Sequence, residues 1–195
     1  MTEYDFLCRM LCPSFIIDPE ADGSYRLVED KKAGGKADHI VRSIPQPALE
    51  GTALFRFSLD NFDFLPFFNN PPKRGGSGPQ NLKKFCDYIM LAHDGSHLRI
   101  MLIEMKRAKK DPEMGEQLRA SELFMRYVID TAERIKHANG SDDFDPERIT
   151  VHRICLKEFP GMKMTSRPKE IIRQAADGKI ATLTNHPYFN PRWAF

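Results

Sequence analysis

The stretch YIMLAHDGSHLRIMLIEMKRAKK, residues 88–110, holds two apolar runs joined by Asp94-Gly95-Ser96-His97, and its reading decides the fold. Asp-Gly and Gly-Ser are hairpin turn signals, so one strand is expected over 85–93 and a second over 98–105. The second run ends in Glu104-Met105-Lys106, where an apolar strand meets charge. Side chains alternate faces along a strand, so Glu104 and Lys106 share the face of Ile100 and Leu102. Charged groups are almost never fully buried unless paired or liganded. Something must meet them there.

The hairpin register names the neighbour. If the loop is Gly95-Ser96, or all four of Asp94 to His97, Asp87 lies directly opposite Glu104. If the turn is Asp94-Gly95, Asp87 faces Leu102 and stays diagonal to Glu104 on the same face. Only a three-residue loop sends the two acids to opposite faces. Opposed residues in an antiparallel pair have Cβ atoms roughly 4.5–5.5 Å apart. Carboxylates that close repel unless one is protonated or a cation lies between them. Hard oxygen ligands, with water filling the sphere, suit Mg²⁺ or Mn²⁺.

Further along, Asp111-Pro112 supplies an N-cap and a first-turn proline. A helix is expected over 112–137, with Met114, Leu118, Met125, Val128, Ala132 and Ile135 near helical spacing and Gly140 placed to stop it. A strand follows over 149–156, then a second helix over 168–176 closed by Gly178, and a short last strand over 179–184. The order strand, strand, long helix, strand, helix reads as α/β with a mixed sheet.

Upstream the signals are weaker. A short helix is expected over 4–11 and a short strand over 25–28, with DKKAGGKAD (30–38) a polar loop. Residues 53–59 alternate like a strand. Phe62, Phe64, Phe67 and Phe68 crowd one segment that suits core or an interface, including a homodimer or protein-partner interface. NNPPKRGGSGP (69–79) is a breaker-rich loop. No internal repeat is visible.

The chain's 195 residues suit a single domain, 1–195, with a core of about 83–156 and an N-terminal elaboration over 1–80. No apolar stretch approaches the roughly 20 residues of a membrane span. The start, MTEYDFLCRM, has acids where a signal peptide carries basic residues, so a cytoplasmic location is expected. Cys8, Cys12, Cys86 and Cys155 are scattered as in a reducing compartment, and Cys8-x-x-x-Cys12 lacks the second half of a zinc site.

The charge total is near balance, with 29 basic and 27 acidic side chains. Its distribution is uneven. Lys73, Arg74, Lys83 and Lys84 fall in an acid-free run, and Lys106, Arg107, Lys109 and Lys110 fall in another. Such runs are either solvated loops or the footprint of a phosphate backbone. His93 and His97 are expected as exposed turn residues, His152 as a satisfied half-buried histidine, and Met90, Met101, Met105 and Met114 as core filling. Trp193 either pins the C-terminus or serves an interface.

Cys86-Asp87, sixteen residues, then Glu104-Met105-Lys106 resembles the PD-(D/E)xK nuclease superfamily, the restriction-endonuclease-like fold. The resemblance covers about residues 83–156. A Cys stands where the name-giving proline would be, a position the superfamily varies. The resemblance implies a small α/β core, a mixed sheet flanked by helices, in which Asp87 and Glu104 hold Mg²⁺ or Mn²⁺ with the Met105 backbone carbonyl. Lys106 would then assist hydrolysis of a phosphodiester. Gln117, near the start of the next helix, matches a Gln or Glu that many members place there. The acid that some members add from an earlier helix has only Glu3 and Glu50 as candidates. The expectation is a metal-dependent nuclease, acting on DNA rather than RNA because most of the superfamily does. The rival is a non-enzymatic interaction module in which Glu104 and Lys106 form an ion pair at a sheet end. Asp87 would then be a solvated strand-start residue.

Overall fold

The computed structural model describes residues 1–11, 13–29, 40–44, 51–56, 85–106, 113–157, 170–175 and 178–184. Its centre is the hairpin of β5 (Tyr88–His93) and β6 (Leu98–Lys106). The pairing runs from Tyr88 opposite Ile103 to His93 opposite Leu98, so the loop is the four-residue form. Asp94 builds that loop: its Oδ1 accepts the backbone N–H groups of Ser96 at 3.1 Å and His97 at 2.9 Å. Gly95 takes φ 92°, which only glycine adopts without strain. His97 is exposed as expected, but His93 is buried. Its ring lies 6.4 Å from that of Tyr4, and its Nδ1 accepts from the Gly95 N–H.

Every residue of β5, and all of β6 but Arg99 and Lys106, is buried, because both faces of the sheet are covered. On one face lie α1 (Glu3–Met10) and α2 (Glu113–Ile135). Leu118, Met125, Val128 and Ala132 of α2 form one stripe against Ile89, Leu91, Ile100 and Leu102. α1 begins with a capping box between Thr2 and Asp5 and buries Phe6 and Leu7. On the other face a separate hairpin, β2 (Tyr25–Glu29) with β3 (Ile40–Ile44), packs Tyr25, Leu27 and Ile44 on Tyr88, Met90, Met101 and Ile103. Among the described residues helices therefore cover one face and a strand pair the other, not helices on both.

The main sheet has seven strands in the order β1-β4-β5-β6-β7-β9-β8. They include β1 (Ile16–Ile17), β4 (Gly51–Arg56), β7 (Ile149–Lys157), β8 (Glu170–Ala175) and β9 (Gly178–Thr184). β7 pairs parallel with both β6 and β9, and every other pairing is antiparallel. A parallel neighbour needs a crossover, and α2 is that crossover between β6 and β7. β4, from the N-terminal part, hydrogen-bonds β5 and is interior to this sheet.

The helix expected over 168–176 is a strand over the described part. β8 is six residues long, too short to hold a helix by itself, and its Ile171 and Ile172 are β-branched. Pairing with β9 satisfies its backbone instead, with Ile172 opposite Ala181. Gly140 does act as a stop: α2 ends at Ile135, a 3₁₀ turn follows, and Gly140 closes it at φ 62°. No helix among the described residues is long and apolar enough to cross a membrane.

Candidate active site

The site lies at the end of the sheet where β5 begins and β6 stops. The first turns of α2 grip the approach to β5. Gln117 Nε2 donates to the Phe85 carbonyl at 3.3 Å. The Cys86 N–H donates to Ser121 Oγ at 2.8 Å, and that hydroxyl donates to the Gln117 carbonyl at 2.9 Å. Phe85 and Phe124 add an edge-to-face contact. Cys86 belongs to the helix-side core whereas Tyr88 belongs to the opposite one. Strict alternation would place them on one face, so the chain bends at Asp87 before the strand proper begins.

At that bend the Asp87 carboxylate accepts the Met105 N–H at 2.7 Å. Continuing the β5–β6 register places Asp87 opposite Glu104, as the four-residue loop requires. Glu104 is 0% exposed, and Lys106 Nζ stands 2.6 Å from its Oε1. Burial pushes the Asp87 carboxyl above its ordinary range. The Met105 N–H, then the charges of Lys106 and Arg56, pull it partly back. Lys106 thus touches one acid and acts on the other, so Asp87, Glu104 and Lys106 converge. The Cys86 thiol reports the same crowding: burial drives its pKa up, and the charges of Glu104 and Asp87 add to the rise.

Gln117 holds the segment just before Asp87, through the Phe85 carbonyl. With its amide nitrogen committed there, its Oε1 is buried without a hydrogen-bond partner among the described residues. Met105 contributes a backbone N–H to Asp87, and its side chain sits in the far-side core. Glu3 is at the other end of the sheet. It accepts the Asp145 N–H at 3.3 Å, pairs with Arg148, and lines a cleft with His93 and Ser96. It cannot join Asp87 and Glu104. Glu50 lies outside the described residues, as do Lys73, Arg74, Lys83, Lys84, Arg107, Lys109, Lys110, the phenylalanine cluster and Trp193.

The ion pair of the rival reading is present, and Asp87, placed by that reading in solvent, is half-buried and accepts the Met105 N–H. Two neighbours went unnoticed in the sequence. Lys157 is in register with Lys106, and Arg153, in register with Leu102, pairs with Glu122 of α2. Both lie on β7, and parallel pairing across a helical crossover leaves no local spacing to read. His152 is half-buried and contacts Thr150 Oγ1 at 3.2 Å, as expected. Among the described residues no group of three or more His, Cys, Asp or Glu side chains is arranged to hold a metal ion. No family model matches the chain, and no curated protein or solved structure matches it either.

Proposed function

We propose that the protein is a divalent-metal-dependent nuclease with a restriction-endonuclease-like core, hydrolysing phosphodiester bonds of nucleic acid, DNA in preference to RNA. The observation that carries this is the meeting of Asp87 and Glu104, from adjacent strands, around Lys106. A half-buried carboxylate with its acidity shifted by desolvation and by a specific cation is a common mark of a working site. The donor chemistry suits Mg²⁺ or Mn²⁺: two carboxylates, the Met105 carbonyl, and the unpartnered Gln117 Oε1 are all hard oxygens. Such an ion, when bound, polarises the phosphate and lowers the pKa of its water.

The chain's own residues would do the rest. The Met105 N–H holds Asp87 in one orientation, so no rearrangement is needed at the moment of reaction. Lys106 would stabilise negative charge building on the phosphate oxygens. Gln117 Oε1 can accept a hydrogen bond from the attacking water, its amide being fixed by Phe85. Ser121 and Gln117 together anchor the segment that carries Asp87.

The ion pair at 2.6 Å favours one other reading, a non-enzymatic module in which Glu104 and Lys106 only close the sheet. Two substitutions separate the readings. Lys106→Ala should lower cleavage by two or more orders of magnitude, on the order of 3 kcal/mol. It should keep, or enlarge, the rise in Tm produced by Mn²⁺, because the ion replaces the missing cation beside Glu104. Glu104→Ala should remove both cleavage and the Mn²⁺ effect. The measurements are melts with and without Mn²⁺ and cleavage of labelled single- and double-stranded DNA and RNA. Equal destabilisation by both changes, with no Mn²⁺ effect and no cleavage by the wild type, leaves only the ion pair.

A further inference from the structure

Lys157 closes β7 as Lys106 closes β6, and the parallel register sets the two side by side. In-register residues of neighbouring strands point to one face, about 4.8 Å apart. Cys155, buried in the helix-side core and in register with Glu104, shows that this is the face of the acids. Lys157 is only 7% exposed. Lys106 is engaged by Glu104, whereas among the described residues no ion pair includes Lys157. Its Nζ is not among the buried unpartnered atoms, so the stem is covered while the ammonium reaches solvent. It emerges at the carboxyl ends of the parallel strands, the rim where open α/β sheets bind ligands.

Two lysines held this close repel each other, and an anion seated against both ammonium groups relieves that. Glu104 is paired with Lys106, and Asp87 lies on the β5 side of that pair, away from β7, so the charge of Lys157 is left to meet an anion from outside. We infer that Lys157 holds a phosphate of the nucleic-acid strand beside the one that Lys106 faces, an inference that rests on the nuclease reading. The packed stem suits this task. Its rotamers are already restricted, so little side-chain entropy is lost when the phosphate arrives.

The test uses the full chain in EDTA, so that binding is read without cleavage. Inorganic pyrophosphate should raise the Tm of the wild type, and labelled single-stranded DNA should bind. Lys157→Met should lose the pyrophosphate shift and bind DNA about tenfold more weakly, the worth of one charge-assisted hydrogen bond. Lys157→Arg should retain both. Arg134→Gln, which removes an exposed charge at the far end of α2, should change neither. Equal binding by wild type and Lys157→Met, or no pyrophosphate shift in the wild type, overturns the inference. A measurement on the wild type covers a Met variant that does not fold: pyrophosphate should slow acetylation of Lys157, and an unchanged rate overturns the inference equally. A protein that binds through Lys157 yet cuts neither DNA nor RNA with Mn²⁺ keeps the phosphate site and loses the nuclease reading. One that cuts while Lys157→Met binds normally does the reverse.

Discussion

Asp87 sits where burial favours the neutral acid. Burial raises its pKa above the ordinary 3.8, and the Met105 N–H, Lys106 and Arg56 do not cancel the rise. A carboxyl raised in the folded state binds its proton more tightly there than in the unfolded chain. The stability this confers is complete below the unfolded value and is lost as pH rises through the folded one. Asp87→Asn keeps an oxygen for the Met105 N–H and removes the charge. It should therefore melt higher than the wild type near neutral pH and coincide with it at about pH 3. Melts at the two pH values check this, and a variant less stable at neutral pH would mean that the hydrogen bond outweighs the burial. Glu104 and Lys106 differ in kind, because each covers the other's charge. Removing either partner of a buried pair strands the other, at a cost of about 3–5 kcal/mol. For that reason the response to Mn²⁺, rather than Tm alone, separates a metal ligand from a structural ion pair.

At the scale of elements, the site depends on α2 holding the entry to β5. Ser121 is fully buried, donates to Gln117 and accepts from Cys86. Ser121→Ala leaves the Cys86 N–H buried without that acceptor, which should cost about 1–3 kcal/mol. Because Asp87 is the next residue, cleavage at a temperature where the variant stays folded should fall as well. A stability loss with full cleavage would show that Asp87 is held by Met105 alone. The elements that the sequence revealed are those whose signal is local. The β5–β6 hairpin announced itself by its turn, α2 by its stripe, and Asp87, Glu104 and Lys106 by register. What stayed hidden depends on distant partners. β8 looked helical because EIIRQA has no strict alternation, and only β9 decides its state. The β2–β3 hairpin docks through Tyr88, whose hydroxyl bonds both the N–H and the carbonyl of Val28 sixty residues away. Lys157 meets Lys106 only because α2 returns the chain parallel.

For the whole molecule, acid sensitivity follows from groups far from the site. Asp94 is held down to about 2, first by the His97 N–H and then by Ser96 and Arg99. Glu122 is lowered too: burial works upward on it, but hydrogen bonds from Arg126 and Arg153 outweigh that. Depressed carboxyls give stability that is present above their unfolded values and lost as pH falls through the folded ones. His152 is depressed by burial and by Arg99, so the unfolded chain takes its proton first below the ordinary 6.5. Tm should therefore decline in two limbs, one below about pH 6.5 and one below about pH 4. His152→Gln should flatten the upper limb only; an unchanged profile would remove His152 from the account. Nucleic-acid binding should show its own signature. Neutralising Lys83, Lys84, Lys109 and Lys110 should reduce the salt slope by about 0.9 for each lysine that contacts a phosphate. A wild type with no binding at low salt would leave these lysines as solvated surface.

The Asp94 loop stands at the opposite end of β6 from Glu104, roughly 20 Å away along the strand, yet it sets which side of the sheet the acid occupies. Inserting one residue between His93 and Leu98, with the loop held at four residues so that β6 slips by one, would turn Glu104 and Lys106 toward the β2–β3 hairpin and bring Met105 to the helix side. Inserting two would restore the original parity. The loop should accordingly tolerate insertions or deletions in even numbers and reject odd ones unless a bulge absorbs the extra residue. Among descendants of this gene, loop length would then be inherited in steps of two, and the hairpin tip would keep a record of selection on a site it never touches.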